Sequence, residues 1–124
     1  MILYCDTSAL VKFYFQEAHT DVLCAQRQES EAVSVSVVGY AEFLSAANRK
    51  KREGCLDTRS YHRVTRRFEK EWSTLVRVDV SDEVNQIAAR LLAEYPLRGF
   101  DAIHLASAAL LKNRLTTTEV RFAS

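Results

Sequence analysis

Short apolar runs recur along this chain, and the stretch after each is too long and too helical to be a hairpin turn. Ile2-Leu3-Tyr4-Cys5 reads as a buried strand ending at Asp6. Val33 to Val38 alternates valine with serine and reads as a second strand. Leu75 to Val80 and Leu115 to Thr118 are predicted as the third and fourth. Strands separated by helices favour parallel pairing, because a parallel return needs a long crossover.

The intervening segments carry helical periodicity. Leu10, Phe13 and Tyr14 place a helix over about Ala9 to Glu17, and a second is expected over Thr20 to Glu29. Gly39 marks a turn, and Tyr40 to Arg52 follows as a helix that Gly54 ends. Tyr61, Val64, Phe68 and Trp72 give Thr58 to Glu71 an apolar stripe on a basic helix. Ser81 caps a helix running to about Glu94, with Glu83 suited to its dipole. Pro96 and Gly99 break the chain before a last helix over Phe100 to Lys112. The pattern predicts an α/β fold of three layers, α/β/α, around a central parallel sheet, with residues 1–124 as one domain.

Composition closes off other classes. At 48% hydrophobic and 27% charged, the 124 residues suit a packed core and not a disordered chain. Three cysteines without a CxxC pair argue against a disulfide framework or a zinc site, and favour reduced thiols in the cytoplasm. The N-terminus lacks a basic region before a long apolar run, so no signal peptide is expected, and no membrane span either. Charge is segregated: from Asn48 to Glu71 nine Lys/Arg face four Asp/Glu, a local +5, whereas the remainder carries −4.

Sites in parallel α/β sheets form at the carboxyl ends of strands. Asp6 ends the first strand, Glu42 lies in the first turn after the second, and Asp101 opens the last helix. Glu119 follows the predicted last strand. Each acid taken singly reads equally well as a helix cap or a dipole partner. Together, carboxylates at one sheet edge repel unless a cation joins them. All-oxygen donors suit Mg²⁺ or Mn²⁺ over zinc. Such a site suits phosphodiester hydrolysis.

These residues also carry a family resemblance. Met-Ile-Leu-Tyr-Cys-Asp6-Thr-Ser-Ala-Leu-Val-Lys resembles the opening of a PIN domain. Ser-Val-Val-Gly-Tyr-Ala-Glu42-Phe resembles its second acidic motif, and Leu-Arg-Gly-Phe-Asp101-Ala-Ile-His-Leu-Ala-Ser-Ala its third. Their order and spacing are similar to those of VapC toxins from prokaryotic toxin–antitoxin pairs. The resemblance implies a metal-dependent endoribonuclease of a VapBC-type system, blocked by a VapB-like antitoxin. It also implies a homodimer or a toxin–antitoxin hetero-oligomer. Asp6, Glu42 and Asp101 become the catalytic, metal-binding acids. Thr117-Thr118-Glu119 occupies the place of the family's Thr-x-Asp pattern, so Glu119 stands in for a fourth acid, supported by Thr117.

Other residues have competing uses. The hydroxyls of Thr7 and Ser8 are placed to hold a site carboxylate or a water, but capping explains them too, and is preferred for Thr7. His104 falls three residues after Asp101 on the same helical face. A structural histidine is the better reading than a general base there. His19 and His62 have no acid nearby in sequence. Arg49, Lys50, Arg52, Arg63 and Arg66 are candidate RNA contacts, or else a solvated helical face. The rival to an endoribonuclease is a PIN-like RNA- or protein-binding module with weak or lost catalysis. A haloacid-dehalogenase-type phosphatase would want an Asp where Ser8 stands, a receiver an adjacent acid pair, and a dinucleotide fold GxGxxG.

Overall fold

The computed structural model describes residues 1–124. The elements in chain order are β1 (Ile2–Cys5), α1 (Thr7–Lys12), α2 (Thr20–Glu29), β2 (Ala32–Ser36), α3 (Gly39–Arg52) and α4 (Thr58–Trp72). Then come β3 (Val76–Val78), α5 (Asp82–Glu94), α6 (Gly99–Arg114) and β4 (Val120–Ala123). The four strands form one parallel sheet in the order β3-β2-β1-β4. The expected α/β/α architecture is the observed one. No helix is long and apolar enough to cross a membrane.

Strand alternation divides the core between the two faces. Leu3 and Cys5 of β1 and Val33 and Val35 of β2 join a cluster with residues of α1 to α4. Its centre is the stack of Phe43 on Phe68, with ring centroids 3.9 Å apart, which ties α3 to α4. On the other face lie Tyr4, Ser34 and Ser36, all fully buried, and α6 packs there against β2 and β4. The serines of β2 therefore do not mark a solvent face. Being small, they let α6 approach, and their hydroxyls are used locally. Ser34 Oγ donates to the Val76 carbonyl at 2.8 Å, and Ser36 Oγ accepts from the Val38 N–H at 3.2 Å. Ala102 and Ala106 of α6 then meet Val84 and Ala88 of α5 in a smaller cluster.

Several boundaries differ from expectation: β2 ends at Ser36 instead of Val38, and β3 covers only Val76–Val78 of the expected Leu75 to Val80. α1 ends at Lys12, not near Glu17. Gly39 begins α3 instead of preceding it, whereas Gly54 does end that helix region with φ +77°, where a side chain would be strained. The last strand is Val120–Ala123, not Leu115 to Thr118. Leu115 closes α6, and the residues between make a turn. The β-branched run at Thr116 to Thr118 forms a turn and not a strand, because threonine suits both.

Candidate active site

Asp6 sits where β1 stops, and its N–H donates to the Ala123 carbonyl at 3.1 Å. Asp6 itself is the N-cap of α1: its Oδ1 accepts from the Ala9 N–H at 2.9 Å. The capping role expected of Thr7 falls one residue earlier, on Asp6. Thr7 is thereby freed, and its Oγ1 donates to Glu42 Oε1 at 2.6 Å, joining α1 to α3. Ser8 is exposed on the rim of the groove and makes no side-chain hydrogen bond.

Glu42 lies in the first turn of α3, and Asp101 in the first turn of α6. Both line a cleft of about 500 Å³, together with Arg98, Gly99, Phe100 and Ile103. Asp101 is held locally by a capping box: its Oδ2 accepts from the Arg98 N–H and Nε, each at 3.3 Å. Phe100 is 54% exposed beside it.

His104, one turn further along α6, is 4% exposed. Its Nε2 lies 2.8 Å from Glu42 Oε1 and its Nδ1 lies 3.1 Å from the Tyr4 hydroxyl. The sequence placed His104 near Asp101, but gave no sign that it would reach an acid 62 residues earlier. Burial raises the Tyr4 phenol well above its ordinary range, so it stays protonated. Cys5 abuts the site but is inert: burial, with the nearby Asp6 charge, pushes its thiol up to about 12.

Glu119 is a correction. β1 and β4 run parallel with Ile2 opposite Val120 and Cys5 opposite Ala123. Glu119 therefore precedes β4 at the amino edge of the sheet, where its carbonyl accepts from the Ile2 N–H at 2.8 Å. Asp6 lies at the carboxyl edge, a strand length of roughly 13 Å away. The Glu119 side chain instead pairs with Arg121 at 3.0 Å. Thr117, in the same turn before β4, is exposed.

The basic candidates separate into two surfaces. Arg49 and Lys50 line a groove that starts at Thr7, Glu42, Arg98 and Phe100 and follows α3. Arg63 and Arg66 line a different depression on α4, with Arg59, His62, Arg67 and Lys70. Arg52 is exposed and lines neither.

The donor chemistry fits a hard divalent cation. Asp6, Glu42 and Asp101 supply only oxygen, and each keeps one carboxylate oxygen without a protein partner. As the side chains stand, no three Asp, Glu, His or Cys groups converge tightly enough to hold a single ion directly. Mg²⁺ suits such a spread set because it retains several waters.

The fold and these motifs define the class. The chain belongs to the PIN domain family, whose pattern matches residues 3–124. It is similar to two proteins of Mycobacterium tuberculosis, Ribonuclease VapC45 of strain CDC 1551 / Oshkosh and Ribonuclease VapC49 of strain ATCC 25618 / H37Rv. Each is 31% identical over 107 residues, spanning 86% of this chain and 74% of the relative. Among solved structures, a toxin–antitoxin complex from Klebsiella pneumoniae superposes with a TM-score of 0.68 at 22% identity, over 97% of this chain and 83% of that one. VapC20 of Mycobacterium tuberculosis, described as a sarcin–ricin loop cleaving toxin, gives 0.66 at 12% identity, over 98% and 89%. VapBC2 from Rickettsia felis, bound to a promoter DNA fragment, gives 0.67 at 12% identity over the whole of both chains.

Proposed function

We propose that this protein is a Mg²⁺- or Mn²⁺-dependent endoribonuclease, the toxin of a VapBC-type pair, acting in the cytoplasm and silenced by a VapB-like antitoxin. The ribonuclease relatives support the activity. Toxin–antitoxin complexes with the same fold support an assembly with an antitoxin or a second copy of the chain. The observation that carries the site is the cleft shared by Glu42 and Asp101, with Asp6 at the neighbouring strand end.

A divalent cation bound there would supply charge for the phosphoryl oxygens and acidify an attacking water. The chain's own residues do the positioning. Asp6, Glu42 and Asp101 hold the cation, and Thr7 fixes Glu42. Arg98 leans on Asp101 through an exposed contact worth little, so it is free to turn to a phosphate when RNA arrives. Arg49 and Lys50 extend the groove with positive charge that offsets the acids toward a polyanion.

Arg49→Ala with Lys50→Ala is expected to weaken RNA binding across sequences. The slope of log affinity against log salt should fall by about 0.7 for each lost contact to a single strand. A salt titration of binding in Ca²⁺ measures this, and an unchanged slope would remove these residues from the track.

Glu119→Gln is expected to leave metal-dependent cleavage within about twofold of the parent, because surface changes away from a site have small effects. A loss like that of the site acids would restore Glu119 to the ligand set.

The spread of the acids also favours a second reading, a binding module with weak catalysis. Incubation of purified protein with structured RNA separates the two. Cutting that needs Mg²⁺ or Mn²⁺ and stops in EDTA supports the enzyme; binding without metal-dependent cutting supports the module.

A further inference from the structure

His104 is nearly the most buried polar group of α6, yet it faces the cleft acid Glu42 and not the hydrophobic layer behind it. Both ring nitrogens are engaged. A carboxylate only accepts, so the proton on this contact belongs to Nε2, which donates to Glu42 Oε1 at 2.8 Å. In the neutral ring Nδ1 then accepts, and the Tyr4 hydroxyl, 3.1 Å away, is its donor. Tyr4 is itself fully buried and stacked on Phe122, with centroids 5.6 Å apart. Thr7 adds a second donor to the same Oε1 at 2.6 Å. One oxygen of Glu42 is thus pinned twice, from α1 and from α6, and Oε2 alone is left without a protein partner.

We propose that His104 is a positioning residue, held by Tyr4, that fixes Glu42 so that Oε2 is presented to a divalent cation in the cleft. The arrangement is the one by which partners behind a ligand orient it and hold its lone pair on the ion. It joins the sheet (Tyr4), α6 (His104) and α3 (Glu42) through side chains that are far apart in sequence. Neither ring nitrogen is spent on a backbone group: one meets the Tyr4 hydroxyl and the other the Glu42 carboxylate. The inference rests on Glu42 being a ligand, as proposed above.

The test is Mn²⁺ binding by calorimetry, with folding followed by circular dichroism. His104→Leu keeps bulk and removes the donor, and a 10- to 100-fold weaker Mn²⁺ affinity is expected, the range for loss of such partners. His104→Gln, whose amide N–H reaches toward the Nε2 position, should recover most of that loss. Tyr4→Phe removes one hydroxyl, keeps the ring, and should give a smaller loss in the same direction; it carries the test if His104→Leu does not fold. In a Glu42→Ala background the same changes should have no further effect, since nothing remains to position. If Glu42→Ala binds Mn²⁺ like the parent, Glu42 is not a ligand and the underlying reading fails. If Glu42→Ala weakens binding but folded His104→Leu or Tyr4→Phe does not, or weakens it equally in both backgrounds, the positioning role is overturned.

Discussion

Asp101→Asn and Asp6→Asn are each expected to cut metal-dependent RNA cleavage by at least about 100-fold, since loss of a partner behind a ligand alone costs 10- to 100-fold. Neither should unfold the protein. Asp6 caps α1 through Oδ1, and asparagine caps as well as aspartate. At Asp101 the carbonyl oxygen of asparagine still accepts from the Arg98 N–H, and what is lost is an exposed pair with the Arg98 guanidinium. Such a pair contributes about 0–1 kcal/mol. Asp6→Ala differs, because it removes cap and charge together and should also cost about 1 kcal/mol of stability. Cleavage of RNA in Mg²⁺ beside urea unfolding of the same variants checks this. An asparagine variant that keeps its cutting rate would end the metal-acid reading of that residue. One that loses both rate and stability would place the acid in the scaffold.

The largest stability effect should come from Phe68→Ala, at about 3–5 kcal/mol. Phe68 is fully buried, stacks on Phe43 and touches Tyr14, Tyr40 and Trp72 with its edges and face. Four aromatic rings cannot collapse into the space it vacates, so the cavity cost adds to the lost transfer energy. Against the 5–15 kcal/mol by which domains are usually stable, that change takes a large share. It also reaches the site, because Phe43 follows Glu42 on α3 and sets where that helix lies. Denaturation with urea should show a lowered midpoint with an unchanged slope. A loss under about 1 kcal/mol would mean that the stack is not the centre of this core.

Much of the scaffold was legible from local pattern. α2 and α5 fall where periodicity and the Ser81 cap put them, and α3, α4 and α6 within a residue or two. These signals are properties of neighbouring residues, so no tertiary information was needed. β4 was not legible. Val120-Arg121-Phe122-Ala123 has no clean alternation, and it becomes a strand because β1 offers it an unpaired edge. Misplacing that strand carried Glu119 to the wrong end of the sheet, since the edge on which an acid lies depends on strand direction and register.

The sequence alone determined the succession of elements from β1 to α6, the parallel sheet they imply, and the three acids Asp6, Glu42 and Asp101 at helix starts. Caps, periodicity and motif spacing are local, and local patterns suffice for them. Only the tertiary structure decided what those acids touch. It gave the cap of α1 to Asp6, turned Thr7 toward Glu42, removed Glu119 from the site and brought His104 onto Glu42 from 62 residues away. These contacts depend on how α6 lies across the sheet, which the small side chains of Ser34, Ser36, Ala102 and Ala106 permit. Packing of that kind is a relation between distant segments, and no window of sequence contains it.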